Sequence, residues 1–469
     1  MPETFFKNRA KTSPELIADL AACLEPDRVS VRGGDLDQHA QDQSSHAGAR
    51  PDVVVWPRDA EEVRAVLRLA NQRAIPVTPW GAGTSLEGNP IPVQGGIVMD
   101  FQHMNRILEI HESDFQVTVE PGVLYKDMNE ILGKQGLFFA PDPGANASVG
   151  GMLANNAAGV RTVKYGATRD NVLALEVVLA DGTLIQTGSR STKQSSGYDL
   201  THFFVGSEGT LGVITKATLQ LAPIPEHFSA AIAAFPEVEN AAEAVFRIVA
   251  HGLEPAALEI LDTHCVRLLN REEQMGLPEM PTLLMEFTGA TQTELHEKLK
   301  LVDEIAADCE CESFNSGVGR SERERIWEVR HRLFEILVRS HPGKTWLLSD
   351  ISVPVSAFPA LVHKAREAYA ARGLDAIING HAGDGNIHTT YFFDRDDDAT
   401  REHVHGANTE LQEFALTLDG TSTGEHGIGL GKKKCLLPEH GPETVEVMRR
   451  LKRTLDPKGI LNPGKIFDD

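Results

Sequence analysis

A short apolar run at positions 53–56 opens the most regular part of the chain, and Pro57 ends it. The run predicts a buried strand. Asp59 is a typical helix N-cap with Glu62 three positions later, and the apolar residues that follow recur at helical spacing. Residues 75–79 form a second apolar run. The pattern therefore predicts a strand–helix–strand unit that ends in a glycine-rich loop.

Further along the chain, alternating apolar and polar positions predict strands joined by tight turns. Phe115, Val117 and Val119 alternate with polar residues. The apolar run at 175–179 leads to Asp181-Gly182, a dipeptide typical of two-residue hairpin turns. Strands and helices are therefore mixed throughout this first part.

The second half of the chain has longer helical stretches between its strands, which indicates a second α+β domain. Residues 222–225, Ala-Pro-Ile-Pro, are a candidate linker. The predicted strands are 229–235 and 282–287, and the predicted helices are 237–250, 293–307, 322–339 and 444–454, with a further strand and helix across 346–372 and two short strands around 383–386.

Composition and charge narrow the class of protein. The chain has 469 residues, 41% of them hydrophobic and 24% charged, which is typical of a folded globular protein of at least two domains. The net charge of −22 disfavours nucleic acid or an anionic membrane surface as the main partner. No apolar run approaches the roughly 18–20 residues of a membrane span, and the five cysteines indicate free thiols. We expect a cytoplasmic protein, at most peripheral to a membrane.

The first glycine-rich loop, residues 79–85 (Pro-Trp-Gly-Ala-Gly-Thr-Ser), directly follows a predicted strand. Successive backbone N–H groups in such a loop can bind a phosphate. Leu86 stands where a dinucleotide fingerprint needs its third glycine, so the loop is not of the Rossmann type, and the chain has no Gly-Lys-Ser/Thr motif. By itself this loop is also compatible with a plain turn.

Two more stretches of small residues strengthen the cofactor interpretation. Residues 141–151 (Pro-Asp-Pro-Gly-Ala-Asn-Ala-Ser-Val-Gly-Gly) are followed by Asn155, Asn156 and Gly159, and residues 206–212 form a third loop. Small residues cannot fill a core, but they let the backbone approach a flat cofactor closely.

His381 and His388 stand on the two sides of the glycine-rich turn Gly383-Asp384-Gly385. If the segment folds as a hairpin, the two imidazoles converge, and Glu425 could add a carboxylate. Two histidines and one carboxylate suit Zn, Mn or Fe. The spacing alone leaves two alternatives open, a metal site or histidines that only stabilise a loop.

The three glycine-rich loops, the segment from Tyr165-Gly166 to Asp170, and residues 381–388, 423–431 and 461–465 together resemble the vanillyl-alcohol oxidase superfamily. The resemblance covers nearly the whole chain from about residue 53, with the motifs in the same order. It is greatest to the cytochrome-type D-lactate dehydrogenases, alongside the glycolate oxidase flavin subunit and D-2-hydroxyglutarate dehydrogenase.

The resemblance implies an α+β fold in three segments. Residues 1–223 would form a two-lobed FAD-binding domain of the vanillyl-alcohol oxidase type. Residues 224–415 would form an α+β substrate (cap) domain with an antiparallel sheet and the metal site, and residues 416–469 would pack back on the FAD domain.

The same resemblance implies FAD, with its pyrophosphate on the first loop, its isoalloxazine near the other two, and its adenine near Val213 and Ile214. Because no histidine or cysteine lies between Trp80 and Gly88, we expect the FAD to be noncovalent. The predicted cofactor-binding residues are Pro79, Gly81, Ala82, Gly83, Thr84, Ser85, Pro141, Gly144, Ser148, Gly151, Asn155, Gly159, Asp170, Glu208, Gly209, Val213, Ile214 and Asn462.

The chemistry that the resemblance implies is oxidation of a small 2-hydroxy acid. A divalent metal (Zn, Mn or Fe) on His381, His388 and Glu425 would orient the substrate and lower the pKa of its hydroxyl. An imidazole is suited to take that proton, and a guanidinium is suited to grip a carboxylate. The predicted catalytic residues are His426 as general base, Arg330 as substrate anchor and Asn386 as a hydrogen-bonding group.

Leu348 narrows the expected substrate, because the hydroxyglutarate branch carries a lysine in this stretch, just before an aspartate. Without a cation there, a second substrate carboxylate would be buried unpaired. We expect D-lactate oxidation to pyruvate, with glycolate or another D-2-hydroxy acid, including D-2-hydroxyglutarate, or a flavin subunit of a glycolate oxidase complex, as alternatives.

Partners follow from the same expectation. With no NAD fingerprint in the sequence, electrons would pass to a cytochrome, a quinone or an electron-transferring flavoprotein, and a homodimer is one candidate assembly. A metal hydrolase without flavin and a non-catalytic flavin subunit are the rival classes.

Overall fold

A mixed sheet forms the first lobe of the fold. The computed structural model describes residues 14–317 and 320–467. The elements of this lobe are α1 (Pro14–Cys23), β1 (Val29–Ser30), α2 (Gly33–Gln38), β2 (Val53–Val55), α3 (Ala60–Arg73), β3 (Val77–Trp80) and β4 (Ile97–Asp100). The strand order is β1-β2-β4-β3, with β2, β4 and β3 parallel. As predicted, Asp59 caps α3, and its side chain accepts a hydrogen bond from the Glu62 N–H at 2.9 Å.

The second lobe is an antiparallel sheet with short helices. Its elements are β5 (Ile107–His111), β6 (Gln116–Val119), α4 (Tyr125–Gly133), β7 (Leu137–Phe138), α5 (Val149–Asn155), α6 (Thr162–Tyr165), β8 (Val172–Val178), β9 (Leu184–Gly188), α7 (Leu200–Phe204), β10 (Val213–Gln220) and β11 (Ala222–Pro223). The order is β5-β6-β10-β8-β9, and β7 pairs with β11. The predicted turn at Asp181-Gly182 joins β8 to β9, with Gly182 at φ 81°.

An eight-stranded sheet forms the third lobe. Its elements are β12 (His227–Ala234), α8 (Val238–Ala250), β13 (Ala257–Leu261), α9 (Thr263–Glu273), β14 (Thr282–Gly289), α10 (Gln292–Asp308), β15 (Ser313–Ser316), α11 (Arg320–His331), α12 (Leu333–Arg339), β16 (Thr345–Leu348), β17 (Ile351–Ser352), α13 (Phe358–Ala370), β18 (Ile377–Gly380), β19 (Asn386–Phe393) and α14 (Asp398–Thr417). The order is β15-β12-β14-β13-β18-β19-β16, with β17 beside β19. Every described pairing is antiparallel, as predicted.

The last part of the chain returns to the first sheet. Helix α15 (Leu436–Leu455) is bent at Gly441, which has φ 75°. Beyond this helix, Leu461 forms a parallel bridge with Val77 of β3. The Val77 N–H donates to the Ile460 carbonyl at 2.7 Å, and the Asn462 N–H donates to the Val77 carbonyl at 2.8 Å.

The predicted single helix at 322–339 is wrong in one respect, because the structure has two helices that meet at Arg332. His331, at the end of α11, donates from Nε2 to Asp142 of the second lobe at 3.1 Å. This contact holds the end of α11 against the second lobe, and a local sequence pattern could not predict it.

Each of the three sheets packs on its own buried apolar cluster, as expected of a chain too long for one core. All five cysteines are free. Within the described residues, no helix combines the length and the apolar character that crossing a bilayer requires.

Candidate active site

A cavity of about 1060 Å³ lies between the glycine-rich loops of the first two lobes and the sheet of the third. It exceeds the roughly 300–1,000 Å³ of most small-molecule sites. Thirteen of the predicted cofactor residues line it, namely Pro79, Gly81, Ala82, Gly83, Thr84, Ser85, Gly144, Ser148, Gly151, Asn155, Glu208, Gly209 and Asn462.

Five predicted cofactor residues, Pro141, Gly159, Asp170, Val213 and Ile214, do not line the cavity. Gly159 serves the second loop, because a Cβ there would lie 2.4 Å from the Asp142 carbonyl oxygen. Asp170 accepts a hydrogen bond from the Ala167 N–H at 2.9 Å. Val213 and Ile214 pair with β8 inside the second sheet.

The loops that line the cavity touch one another through glycine. A Cβ on Gly81 would lie 2.2 Å from Ser148 Oγ, and Gly83 (φ 68°) lies so close to the Trp80 ring that a Cβ would be 2.8 Å from it. Ser148 caps α5 by accepting from the Gly151 N–H at 3.3 Å. A side chain larger than glycine at these positions would displace the loops. The glycines therefore allow the backbone itself to line the cavity.

The predicted metal ligands meet at one end of this cavity. The β18–β19 pairing puts His381 and His388 at the two ends of a tight turn, with Gly385 at φ 78°. Their ring centroids are 5.3 Å apart. Glu425 Oε1 is 3.2 Å from His381 Nε2 and 3.4 Å from His388 Nε2.

Electrostatics and unsatisfied atoms at this end fit a divalent ion. Burial opposes charge on His381, but Glu259 and Glu425 outweigh it and hold the pKa of His381 well above its usual value. Burial likewise opposes charge on Glu425, yet His381 and His388 hold the pKa of Glu425 well below its usual value. Glu425 Oε2 has no hydrogen-bond partner among the described residues. A buried, ionised carboxylate with a free oxygen beside two imidazoles is a donor set for a cation.

Asp350, His388 and His426 form a second group with the spacing of metal ligands. The Asp350 carboxylate is already occupied, since it accepts from the backbone N–H groups of Glu425 and His426, each at 2.9 Å, and from Asn386 Nδ2 at 2.8 Å. We therefore favour the group that contains His381 as the metal site.

His426 stacks on His388, with ring centroids 5.2 Å apart and planes 8° from parallel. Burial lowers the pKa of His426, although Asp350 opposes that shift. Its Nδ1 has no hydrogen-bond partner among the described residues. A neutral imidazole facing the cavity can accept a proton.

Arg330 also reaches this end, whereas Asn386, predicted to contact the substrate, is buried and is not among the residues that line the cavity. Arg330 lines the cavity, is 7% exposed, and forms an ion pair with Glu259. Asn386 donates to Asp350 and to the Ile351 carbonyl, so only its Oδ1 is without a partner among the described residues. Leu348 lines the cavity on the same side.

Two buried carboxylates that hold these groups, Glu259 and Asp350, were not predicted, whereas Glu208 was predicted as a cofactor-binding residue and lines the cavity. Glu208 accepts from the N–H groups of Ile428 and Gly429 at 2.7 and 2.9 Å. Glu259 did carry a signal, because it is a lone charge in the apolar strand 257–261.

Comparison with protein families matches both halves of the chain. The family described as FAD binding domain matches residues 51–188. The family described as FAD linked oxidases, C-terminal domain, matches residues 224–466, more than half of the chain.

Curated relatives extend over nearly the whole chain. A protein of Danio rerio named probable D-lactate dehydrogenase, mitochondrial, is 39% identical over 99% of this chain and 94% of its own length. D-lactate dehydrogenase (cytochrome), mitochondrial, of Arabidopsis thaliana is 38% identical over 99% and 82%. Glycolate oxidase subunit GlcD of Bacillus subtilis is 37% identical over 92% of each chain.

The mitochondrial names among these relatives contradict the prediction of a cytoplasmic location, which is wrong on this comparison. The prediction rested on the net charge, the lack of a long apolar run and the free cysteines, and none of these properties distinguishes the cytosol from another reducing compartment.

Solved structures share the fold at low identity. p-Cresol methylhydroxylase superposes with a TM-score of 0.80 at 19% identity, covering 97% of this chain and 96% of that one. 4-Ethylphenol oxidase from Gulosibacter chungangensis has a TM-score of 0.79 at the same identity and coverage. The predicted α+β fold is confirmed. From its matched domains, its relatives and its fold, the chain belongs to the FAD-linked oxidases of the vanillyl-alcohol oxidase type and is an FAD-dependent hydroxy-acid dehydrogenase.

Proposed function

We propose that the protein oxidises D-lactate to pyruvate with noncovalent FAD and a divalent metal ion, and passes the electrons to an external acceptor. The observation that carries this proposal is the meeting of two histidines and a glutamate with Arg330 and His426 at one end of the cavity that the flavin loops line. The names of the D-lactate dehydrogenase relatives support the same substrate.

The chain's own residues bind the substrate and handle its proton. Arg330 pairs with the substrate carboxylate, and His426 accepts the hydroxyl proton because burial keeps its imidazole neutral. Asn386 does not line the cavity, so we assign it the positioning of Asp350, to which its Nδ2 donates at 2.8 Å, in place of a contact with the substrate. His381, His388 and Glu425 would hold the metal, which supplies Lewis-acid chemistry when bound, while FAD supplies a hydride acceptor.

Leu348 favours a small monocarboxylate over a dicarboxylate, since an apolar side chain cannot neutralise a second buried charge. Glycolate and longer D-2-hydroxy acids are the alternatives, and the GlcD relative supports glycolate. For the acceptor we propose a cytochrome, a quinone or an electron-transferring flavoprotein, and the first of these is consistent with the relatives named as cytochrome enzymes.

Anaerobic bleaching of the bound flavin tests the substrate without the acceptor. D-Lactate is expected to bleach the absorbance of oxidised FAD fully and faster than glycolate or D-2-hydroxyglutarate, and L-lactate is expected to leave it unchanged. A colourless protein, or bleaching by D-2-hydroxyglutarate alone, would contradict the proposal.

Replacing the proposed base gives an independent test. His426→Ala is expected to retain FAD and to lower the bleaching rate with D-lactate by about 10²- to 10⁴-fold, the usual range for a general base. His440→Ala, on partly exposed His440 of α15, is the control and should react at the wild-type rate. If His426→Ala were bleached at nearly the wild-type rate, another group would be the one that accepts the substrate's hydroxyl proton.

A further inference from the structure

We propose that Glu259 is a positioning residue that fixes the substrate anchor Arg330 and the metal ligand His381 in one arrangement. This inference rests on the proposed metal-dependent oxidation. Glu259 lies in the middle of β13 and is 0% exposed. A fully buried carboxylate is costly unless charged or hydrogen-bonding groups surround it, so its contacts indicate what it does.

One oxygen of Glu259 orients His381. Glu259 Oε1 lies 2.8 Å from His381 Nδ1. A hydrogen bond there keeps a proton on Nδ1, so Nε2, which lies 3.2 Å from Glu425 Oε1, is the ring nitrogen that would bind a metal ion. Carboxylates that accept from a ligand histidine in this way fix its tautomer and ring orientation, and losing them typically weakens metal binding by about 10- to 100-fold.

The other oxygen of Glu259 faces the substrate anchor. Glu259 Oε2 forms an ion pair with Arg330 Nη2, and both side chains are withdrawn from solvent. The two atoms of this ion pair, Arg330 Nη2 and Glu259 Oε2, and also Arg330 Nε are buried and have no hydrogen-bond partner among the described residues. The guanidinium is therefore held on one side by Glu259 and keeps a donor free for a ligand.

The fold makes this double contact possible. Strand β13 pairs with β18, where Ile260 is opposite Gly380, and His381 follows directly. Arg330 reaches the same point from α11, a separate element 71 positions further along the chain. One carboxylate thus joins the group proposed to bind the substrate carboxylate to the group proposed to bind the metal.

Glu259→Gln removes the charge at nearly constant size. In metal-free protein that retains FAD, we expect the dissociation constant for Mn²⁺ to rise by about 10- to 100-fold, measured from the electron paramagnetic resonance signal of free Mn²⁺. At saturating Mn²⁺ we expect the KM for D-lactate to rise by more than the kcat falls, because the anchor loses its fixed partner. An unchanged Mn²⁺ affinity would overturn the inference.

Asp262→Asn is the matched control. Asp262 is a buried carboxylate just after the same strand, 8% exposed, and it accepts from the backbone N–H groups of Cys265 and Ile378 at 2.8 and 2.7 Å. Its loss should lower thermal stability and leave Mn²⁺ affinity within about twofold of wild type, since none of its hydrogen bonds reaches a ligand. Equal losses of affinity in both variants would mean that Glu259 has only a structural role.

Glu259→Asp is the second variant in case the glutamine variant does not fold. It keeps the charge but is too short to contact both partners, so reduced Mn²⁺ affinity supports the inference and wild-type affinity overturns it. Wild-type protein that D-lactate bleaches but that binds no Mn²⁺ would overturn the role of Glu259 and the metal part of the proposed function, and would leave D-lactate as the substrate. Protein that binds Mn²⁺ but is not bleached by D-lactate would contradict the substrate and leave the Mn²⁺ comparison decisive for Glu259.

Discussion

Among single residues, Leu348 bears most directly on the choice of substrate. It faces the cavity from β16, opposite Thr390 of β19. Leu348→Lys places a cation where a second substrate carboxylate would lie. We expect kcat/KM for D-lactate to fall, and that for D-2-hydroxyglutarate to rise, by about 10- to 100-fold each. The buried lysine would pair with the second carboxylate of D-2-hydroxyglutarate but would have no partner beside the methyl group of D-lactate. Steady-state kinetics with both acids measures this exchange.

Leu347→Lys provides the control, because successive side chains of a strand face opposite sides. Leu347 packs on a small apolar cluster and does not line the cavity. The Leu347→Lys variant should be less stable than wild type but should keep the same ratio of the two kcat/KM values. A similar change of preference in both variants would show that the effect of Leu348→Lys is not local.

The sequence could indicate the proposed metal ligands but not the carboxylates that contact them. His381 and His388 are seven positions apart around a glycine turn, so local geometry predicts their meeting. Glu259 contacts His381 across 122 positions, and Asp350 contacts the Glu425 backbone across 75. Contacts of that range depend on sheet order, which no local pattern specifies.

Among elements, the β18–β19 hairpin carries both histidines, and Gly385 makes its turn possible. Gly385 has φ 78°, and a Cβ there would lie 2.0 Å from the Val353 carbonyl oxygen. Gly385→Ala is therefore expected to separate the histidines, lowering Mn²⁺ affinity at least tenfold and costing more than the roughly 1 kcal/mol of an ordinary left-handed glycine. Mn²⁺ titration and urea unfolding measure the two effects.

Gly373→Ala separates backbone conformation from the steric clash. Gly373 has φ 69°, similar to Gly385, but nothing lies within 4 Å of its missing Cβ. We expect a cost of about 1 kcal/mol and unchanged Mn²⁺ affinity. If Gly385→Ala behaved in the same way, the hairpin would tolerate movement and the close approach would not be needed.

The prediction of helices and strands succeeded where the signal is local and failed where a contact between distant residues sets an element's boundary. Asp59 caps α3 as its residue type predicts. The break at Arg332, by contrast, accompanies a contact between His331 and Asp142 that spans 189 positions. Before residue 53, the sequence predicted no element, whereas the structure has the ten-residue helix α1, the two-residue strand β1 and the six-residue helix α2.

For the whole molecule, a buried histidine predicts how stability depends on pH. His39 is 1% exposed, and its Nε2 lies 3.0 Å from Asp100 Oδ2. Burial opposes its charge, but hydrogen bonds to the Asp100 side chain and the Asp35 carbonyl outweigh it and raise the pKa of His39. A raised pKa means that the stabilisation is complete below the unfolded value of about 6.5 and is lost as the pH rises through the folded value.

His39→Gln should therefore lower the free energy of unfolding more at low pH than at high pH. We expect a loss in the free energy of unfolding of about 1.5–3 kcal/mol at pH 5.5, the range of a charge-assisted hydrogen bond, and a smaller loss at pH 9. Urea unfolding of the FAD-loaded protein at both pH values measures it. His251→Gln is the control, because His251 is exposed and its Nδ1 contacts the Arg247 carbonyl of its own helix. A loss that does not vary with pH would indicate that His39 stays neutral.

At this scale the sequence predicted the fold class and the antiparallel cap sheet, because the family motifs run along nearly the whole chain. The predicted boundaries at 223 and 415 stay predictions. The strand order could not be predicted, since neighbouring strands such as β6 and β10 are about 100 positions apart, and neither could the bridge between Val77 and Leu461, which are nearly 400 positions apart.

The segment with Glu425 and His426 is held between two lobes, by Asp350 on one side and by Glu208 on the other. Both reactive residues lie in the last tenth of the chain. While the protein is being synthesised, the glycine loops, Arg330 and both metal histidines leave the ribosome before them. A chain that stops before residue 424 would therefore have the glycine loops and Arg330 but neither the proposed third metal ligand nor the proposed base.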